Sequence, residues 1–290
     1  MSSSSRREFF VRTAVLGSIA RAAFARDPLT HDNLGFQIYT LRSVIERDPL
    51  AILKAVQQVG YRDIECTAGN LDKIWPALQQ TSLRPISLHT DASMMTPDGG
   101  LFNPAALDMA KQRGFKYLVI PSLETGQGGA EALAQIIERL NRQGEQVKNA
   151  GMTLCYHNHA HDFAPVNGTP AIETLLQQTN PKYVFLEMDI FWVVRAGHDP
   201  VAALKAHKGR VPLLHLKDQA PGTPVAFDEK VPHSAFMEVG SGSINIPSVL
   251  SAANDAGVRY YFVEQDQTAG DPIISLKKSF EYLKRMFNNA

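Results

Sequence analysis

The sequence has little cysteine, no excess of charge of either sign and no low-complexity tract. Cys66 and Cys155 are its only cysteines, too few for a disulfide framework; both lie in strand-like runs, where a bridge is less expected than packing as small apolar groups. The 29 basic and 29 acidic side chains give a formal net charge of +0, so no nucleic-acid or membrane-surface partner is expected. No Gly-x-Gly-x-x-Gly motif follows the first predicted strand, which argues against a dinucleotide-binding fold.

The first 25 residues are typical of an export signal. Arg6 and Arg7 precede a modest apolar stretch over residues 11–25, as in twin-arginine signals. The Ala-Phe-Ala sequence at 23–25 has the small-x-small pattern of a cleavage site, and two further arginines make the stretch too short for a membrane anchor. We therefore predict a signal peptide over 1–25, the twin-arginine translocon as its partner during export, and a periplasmic or exported catalytic domain over 26–290. An ordinary amphipathic N-terminal helix is the alternative.

From residue 35 onward, short apolar runs alternate with longer helical patterns. The predicted strands are 35–39, 63–66, 85–89, 117–121, 153–157, 183–188, 211–216 and 260–264. The predicted helices are 50–58, 71–79, 104–112, 130–148, 171–178, 200–206, 246–256 and 273–287. Near-continuous apolar strands indicate a parallel sheet buried on both faces. Eight such strand–helix units predict a single-domain α/β protein, a (β/α)8 TIM barrel.

Polar side chains occur in pairs where the last four predicted strands end. The pairs are His157/His159, Glu187/Asp189, His215/Lys217 and Glu264/Asp266. Strand side chains alternate between faces, so the two members of each pair share a face. Barrel enzymes carry their chemistry at these strand ends, and imidazole and carboxylate groups bind Mn, Co, Zn or Fe. The sequence therefore predicts a site for one divalent metal ion of open identity.

Seven segments resemble the xylose-isomerase-like superfamily of sugar isomerases and epimerases. They are GFQIYTLR (35–42), YRDIECT (61–67), YHNHAHDF (156–163), LEMDIFWV (186–193), LLHLKD (213–218), EVGSGSINI (238–246) and FVEQD (262–266). Together they extend over essentially the whole predicted mature chain. The resemblance implies a metal-dependent enzyme acting on a sugar or polyol, with isomerase or epimerase as the main expectation.

The resemblance also implies which residues hold the metal ion. Asp189, His215 and Glu264 match the family's ligands on strands six, seven and eight. The strand-five ligand of the ketose epimerases is a glutamate, and the matching residue here is His157. This departure places the chain nearer to inosose dehydratase and the keto-sugar lyases than to epimerases that use two glutamates.

The implied chemistry is removal of a proton next to a carbonyl, giving an enediolate. Glu264 or His157 is the candidate base, Glu187 is a further acidic candidate, and Lys217 is a candidate proton donor. The residues expected to contact substrate are Glu65, His89, His159, Trp192 and Asp266. Reprotonation gives isomerisation or epimerisation, whereas loss of a β-oxygen gives dehydration or glycoside elimination.

Two other classes of protein compete with this interpretation. An apurinic endonuclease on the same barrel needs more metal ligands and a basic face for DNA, which the neutral charge disfavours. A non-catalytic periplasmic sugar-binding barrel would bind its ligand equally well after chelation of metal. The sequence Gly240-Ser241-Gly242-Ser243 is open to two interpretations, as a site for a phosphate or for a hydroxyl group.

Overall fold

Eight parallel strands form a closed barrel in the computed structural model, which describes residues 33–288. The strands are β1 (Leu34–Gln37), β2 (Asp63–Thr67), β3 (Arg84–His89), β4 (Tyr117–Ile120), β5 (Thr153–His157), β6 (Val184–Asp189), β7 (Leu213–Leu216) and β8 (Tyr260–Val263). Each pairs with the next in chain order, and β8 pairs with β1 to close the barrel. The predicted single TIM barrel is confirmed. The leader predicted over 1–25 lies outside the described residues and stays a prediction.

Nine α-helices lie in this part of the chain. They are α1 (Pro49–Val59), α2 (Ala68–Leu78), α3 (Pro104–Gln112), α4 (Gly129–Asn149), α5 (Ala171–Gln178), α6 (Ile190–Arg195), α7 (Pro200–Ala206), α8 (Ile246–Ala256) and α9 (Pro272–Asn288). Eight of them correspond to predicted helices. The exception is α6, whose side chains are almost all buried and therefore show no amphipathic period. Among residues 33–288, no helix combines the length and apolar character that a membrane crossing requires.

The interior of the barrel is divided into an apolar floor and a polar upper layer. Side chains from several strands pack together inside the barrel as one cluster: Ile86, Tyr117, Val119, Cys155, Leu213 and Phe262. The ring of Phe262 also lies 6.2 Å from the ring of His215, edge to face, so the floor reaches the polar layer directly. Both cysteines are buried and free, which confirms their expected role as packing groups. The floor excludes water from beneath the polar layer and thereby strengthens its electrostatic interactions.

A long connection follows β7 over the carboxyl ends of the strands. It leaves and rejoins the barrel through a short antiparallel pair, Asp218–Gln219 with Phe236–Met237. We call residues 220–235 the strap. Phe236, in the returning strand of that pair, stacks on Phe191 of α6, with ring centroids 4.6 Å apart. The strap is therefore anchored next to the strand ends where the sequence predicts the site.

Candidate metal centre

Three side chains at the ends of β6, β7 and β8 form what we call the outer group: Asp189, His215 and Glu264. Their ligand atoms lie within 4.8 Å of one another, and all three side chains are buried. His215 Nδ1 lies 2.8 Å from Glu264 Oε2 and 3.9 Å from Asp189 Oδ2. His157, the fourth predicted ligand, places Nε2 3.6 Å from Asp189 Oδ2. The four residues that the resemblance implies as ligands thus converge on one place.

One carboxylate oxygen of Asp189 caps a helix, and the other is available to a ligand. Its Oδ1 accepts hydrogen bonds from the backbone N–H groups of Phe191 (2.9 Å) and Trp192 (3.4 Å), which caps the start of α6. Its Oδ2 accepts no hydrogen bond, although the ammonium of Lys217 lies 2.9 Å away as an ion pair. This oxygen is not used by any backbone N–H group and already faces a cation, so it can serve as a metal ligand.

Lys217 supplies the positive charge beside the outer group. Its buried Nζ lies 2.9 Å from Asp189 Oδ2, 2.8 Å from Glu264 Oε2 and 2.8 Å from Asp266 Oδ2. Burial alone would lower the pKa of Lys217, but these three carboxylates raise it well above its ordinary value. Conversely, burial would raise the pKa of Glu264, and the ammonium together with His215 lowers it. Lys217 is therefore a protonated acid held among carboxylates.

Below the outer group, three further side chains form the inner group: Glu65 of β2, His89 of β3 and Glu187 of β6. His89 Nε2 lies 2.9 Å from Glu65 Oε1 and 2.7 Å from Glu187 Oε2, so the imidazole links the two carboxylates. Both glutamates are fully buried, and Ser87 donates a hydrogen bond to Glu65 Oε2. Glu187 Oε1 accepts no hydrogen bond.

The charges of the inner group are balanced by histidines. Burial lowers the pKa of an imidazole, but Glu65 and Glu187 raise the pKa of His89 to about 10. The same carboxylates raise the pKa of His215 well above its usual range. Burial, followed by the charge of His215, lowers the pKa of His157 and keeps that ring neutral. A neutral imidazole is the form that binds a metal ion.

The donor set fits a divalent transition metal. Imidazole nitrogens with carboxylate oxygens suit zinc, manganese, cobalt and iron, and the outer group lies at the mouth of the barrel, where a substrate arrives. The structure also brings together a second set of ligand atoms, from His89, His157, Glu187 and His215. The two sets share His215, whose Nδ1 faces the outer group and whose Nε2 faces Glu65 at 2.7 Å.

The residues predicted to contact substrate surround these groups. Trp192 lies with its ring centroid 5.8 Å from Lys217 Nζ and 5.3 Å from the ring of His159. Trp192 Nε1 and His159 Nδ1 are buried atoms without a hydrogen-bond partner. Because buried polar atoms are normally paired, these two are available for substrate hydroxyl groups. Asp266 is the most exposed carboxylate in contact with Lys217, with 20% of its side chain accessible.

The backbone amides of the glycine-rich loop at 240–243 bind a side chain of the protein itself. Asp218 Oδ2 accepts hydrogen bonds from the backbone N–H groups of Gly240 and Gly242, both at 2.9 Å, and Oδ1 accepts one from Ile244 at 3.1 Å. A Cβ atom on Gly242 would lie 2.3 Å from Asp218 Oδ1, so only glycine fits there. The loop's amides are already bound to a carboxylate, which leaves no free cradle for phosphate.

The strap is held by two side chains that sequence reasoning does not identify. Arg195 of α6 donates to Pro224 O and, at 3.0 Å, to Asp228 Oδ1. Glu229 Oε1 lies 2.9 Å from His161 Nδ1, and His161 Nε2 lies 2.8 Å from Leu123 O. Both ring nitrogens of His161 thus face acceptors, which only the imidazolium form can satisfy.

We expect the strap to loosen as pH rises through about 9. Burial lowers the pKa of His161, but its hydrogen bond to Glu229 and the nearby Asp162 raise it to about 9. Since this value exceeds the unfolded value of about 6.5, the stabilisation is complete below that lower pH and is lost through the higher one. Hydrogen exchange of residues 224–230 between pH 7 and 10 measures the effect. Glu229→Gln should weaken this pH dependence and move it to lower pH, because Asp162 and Leu123 O remain beside the ring; an unchanged profile in that variant would contradict the assignment.

Every side chain predicted for the site lies in this one cluster at the carboxyl ends of the strands. Residues 53–286 match the xylose isomerase-like TIM barrel family. The chain is 30% identical to inosose dehydratase from Geobacillus thermodenitrificans over 159 residues, 51% of this chain and 53% of that protein. An inosose dehydratase from Clostridium perfringens is 29% identical over 163 residues, 53% of this chain and 54% of that protein. The chain thus spans about half the length of the curated relatives it matches.

Solved structures extend the comparison over nearly the whole chain. A sugar phosphate isomerase/epimerase from Parabacteroides distasonis superposes with a TM-score of 0.72 at 26% identity, covering 91% of this chain and 97% of that one. The IolI protein with a bound zinc atom gives a TM-score of 0.67 at 19% identity, covering 88% of this chain and 99% of that one, a likeness of fold alone. On the family match to residues 53–286, this chain belongs to the xylose isomerase-like TIM barrel family.

Proposed function

We propose that this protein is a divalent-metal-dependent enzyme that removes a proton next to the carbonyl of an unphosphorylated sugar or keto-polyol and then eliminates water. The observation that carries the proposal is the buried ammonium of Lys217, which contacts Asp189, Glu264 and Asp266 beside a cluster of imidazole and carboxylate donors. Such a site places a protonated amine, which can give a proton to a departing hydroxide, next to carboxylates that can act as bases. His157, Asp189, His215 and Glu264 would hold the ion, which polarises the carbonyl and stabilises negative charge on its oxygen.

In the proposed reaction, Glu264 takes the proton from the carbon next to the carbonyl, and the electron pair of that C–H bond forms an enolate. As the enolate reverts to a ketone, its electron pair forms a double bond between the α- and β-carbons, and the carbon–oxygen bond at the β-carbon breaks. The departing hydroxide takes a proton from Lys217 and leaves as water. Glu264 Oε2 lies 2.8 Å from Lys217 Nζ, so the abstracted proton can return to the amine. The net change is loss of one water molecule.

Dehydration is favoured by the asymmetry of the site. A symmetric epimerase needs an equivalent base on each face of the substrate, but strand five ends in His157, where the classical epimerases have a glutamate. The cationic Lys217 suits protonation of a leaving hydroxide, which isomerisation does not require. The chain's similarity to proteins named inosose dehydratase supports the same outcome.

An unphosphorylated substrate is favoured by the glycine-rich loop. The amides of Gly240, Gly242 and Ile244 bind Asp218, so they offer no site for a phosphate dianion. The groups that remain are Trp192 Nε1, His159 Nδ1 and the carboxylate of Asp266. A hydroxyl group can pair with each of these, whereas a phosphate would be repelled by the carboxylate.

Isomerisation or epimerisation is the second candidate. It is favoured by the 26% identity, over 91% of this chain, to a structure described as a sugar phosphate isomerase/epimerase. It requires the enolate to be reprotonated at carbon in place of losing hydroxide. The two candidates share the first step and differ in the mass of the product.

The test is turnover of inososes, ketoses and 3-keto-glycosides in D₂O, with phosphorylated sugars as a comparison set. We expect activity that chelation abolishes and a divalent ion restores, with a product lighter than its substrate by one water. A product of unchanged formula that carries deuterium next to the carbonyl would assign the second candidate. Turnover that survives complete metal removal would contradict the proposal, and sugar binding without turnover, unaffected by chelation, would indicate a binding protein.

A further inference from the structure

We propose that Glu65 and Glu187 are positioning residues that fix which nitrogen of His215 and of His157 binds the metal ion. The inference rests on the proposed function, since it takes the outer group as the place of the ion. It concerns the inner group, whose carboxylates lie one layer deeper in the barrel. It assigns to Glu65 a task other than the substrate contact predicted from its place on β2.

His215 carries the first part of the argument. Its Nε2 lies 2.7 Å from Glu65 Oε1, and its Nδ1 lies 2.8 Å from Glu264 Oε2 in the outer group. A carboxylate can only accept a hydrogen bond, so Glu65 holds the proton on Nε2. Nδ1 also faces a carboxylate, Glu264 Oε2, so the ring carries a proton on both nitrogens in the metal-free protein. A metal ion in the outer group would take the place of the Nδ1 proton, while Glu65 keeps the proton on Nε2. Without Glu65, the ring could adopt the other tautomer, whose Nδ1–H cannot bind an ion.

His157 repeats the arrangement with its nitrogens exchanged. Its Nδ1 lies 3.0 Å from Glu187 Oε2, and its Nε2 lies 3.6 Å from Asp189 Oδ2. Glu187 therefore holds the proton on Nδ1 and leaves Nε2 free for the ion. Two histidines from different strands thus direct different ring nitrogens, Nδ1 of His215 and Nε2 of His157, to the outer group. The other nitrogen of each ring contacts a buried glutamate.

His89 joins the two glutamates into one unit. Its Nε2 contacts Glu65 at 2.9 Å and Glu187 at 2.7 Å, and its ring stacks on that of His215 with an interplanar angle of 2°. The hydrogen bond from Ser87 occupies the second oxygen of Glu65. Both glutamates are completely buried, so neither can turn towards solvent. A ligand orientation set by buried hydrogen bonds is rigid, and loss of such support typically costs 10–100-fold in metal affinity.

The alternative place for the ion is the second set of ligand atoms, which His89, His157, Glu187 and His215 bring together around the inner group. The outer group is favoured by its position. Lys217 and the partly exposed carboxylate of Asp266 lie beside it, so a substrate can reach an ion held there.

The first experiment compares zinc affinity, by competition with a chelator, in the full-length protein and in Glu65→Gln. The substitution removes the charge at nearly constant volume, and we expect zinc to bind ~10–100-fold more weakly while one ion per chain is retained. Glu187→Gln tests the His157 side in the same way. Asp63→Asn is the matched control, because Asp63 is an equally buried carboxylate on β2 whose partner is Arg84, 2.6 Å away. Wild-type affinity in both glutamine variants would overturn the inference.

The second experiment reads the tautomers directly, by ¹⁵N NMR of histidine-labelled, zinc-loaded protein, with signals assigned by single histidine replacements. We expect zinc on Nδ1 of His215 and on Nε2 of His157, with protons on the opposite nitrogens. In Glu65→Gln, a second His215 tautomer should appear. Zinc on His89 or on Nε2 of His215 would place the ion in the inner group and overturn the inference, as would failure of the wild type to bind zinc. Neither measurement uses substrate. The proposed reaction is therefore tested separately, by measuring turnover after chelation.

Discussion

Replacement of His215 by alanine is expected to abolish both metal binding and turnover. His215 is the one side chain common to the outer group and to the second set of ligand atoms among residues 33–288, and it is fully buried. Its removal takes away an ion ligand and leaves Glu65 and Glu264 without their shared imidazole. Breaking a buried ion pair costs ~3–5 kcal/mol, so the variant should also unfold more easily. Metal content, turnover and denaturant unfolding together measure these effects.

Because loss of metal would also follow from misfolding, two further variants are needed. Glu264→Gln keeps the side-chain volume and removes one charged ligand, so it should fold and still lose the ion. His207→Ala is the control, because His207 also pairs with a glutamate, Glu173 at 2.9 Å, but lies outside the site. It should keep full metal content. If His215→Ala and Glu264→Gln both retained a full complement of metal, the outer group would not be the binding site.

Replacement of Lys217 by methionine is expected to lower kcat strongly while the metal stays bound. Loss of a general acid typically costs ~10²–10⁴-fold in rate. Removing the ammonium also leaves Asp189, Glu264 and Asp266 without their shared counter-ion, at ~3–5 kcal/mol in the metal-free protein. A bound divalent ion supplies replacement positive charge, so the loss of stability should be smaller in the metal-loaded protein.

The measurement is kcat together with unfolding free energies, each with and without zinc. Lys278→Met is the matched control, since Lys278 pairs with Glu238 at 3.0 Å but 60% of its side chain is exposed. An exposed pair contributes ~0–1 kcal/mol, so this control should leave stability and turnover nearly unchanged. A Lys217→Met variant with wild-type kcat would remove Lys217 from the reaction, and equal destabilisation with and without zinc would contradict its role as a counter-ion.

The strands could be predicted because burial on both faces of the sheet gives near-continuous apolar runs. Most helices could be predicted because one apolar face gives a helical period. Predicted and observed bounds of α3, α5, α7 and α8 agree residue for residue. The helix α6 shows why the pattern has limits. Its sequence IFWVVR is short and buried nearly all round, so it lacks a polar face, and its N-terminal cap is Asp189, whose sequence pattern indicates a metal ligand.

The residues of the site could be predicted from strand alternation, but their pairings could not. Period-two alternation places Glu65 and His215 on strand faces without showing that they meet, because 150 residues separate them. The same holds for Asp218 and the glycine-rich loop, where local sequence alone is equally consistent with a phosphate site. Which residues meet across a barrel depends on how the barrel closes and on the register of its strands. Neither can be read from a local sequence pattern.

The contact between Glu65 and His215 joins the second strand of the barrel to the seventh, and the outer group adds Glu264, which follows the eighth. A chain that has formed only its first six strands therefore has no complete site, since both His215 and Glu264 come later. An ion that binds only the closed barrel stabilises it by RT ln(1 + [L]/Kd), an amount that grows with free ion concentration. We therefore expect the ion to bind only the closed barrel, so that the stability of the barrel rises with the supply of the ion.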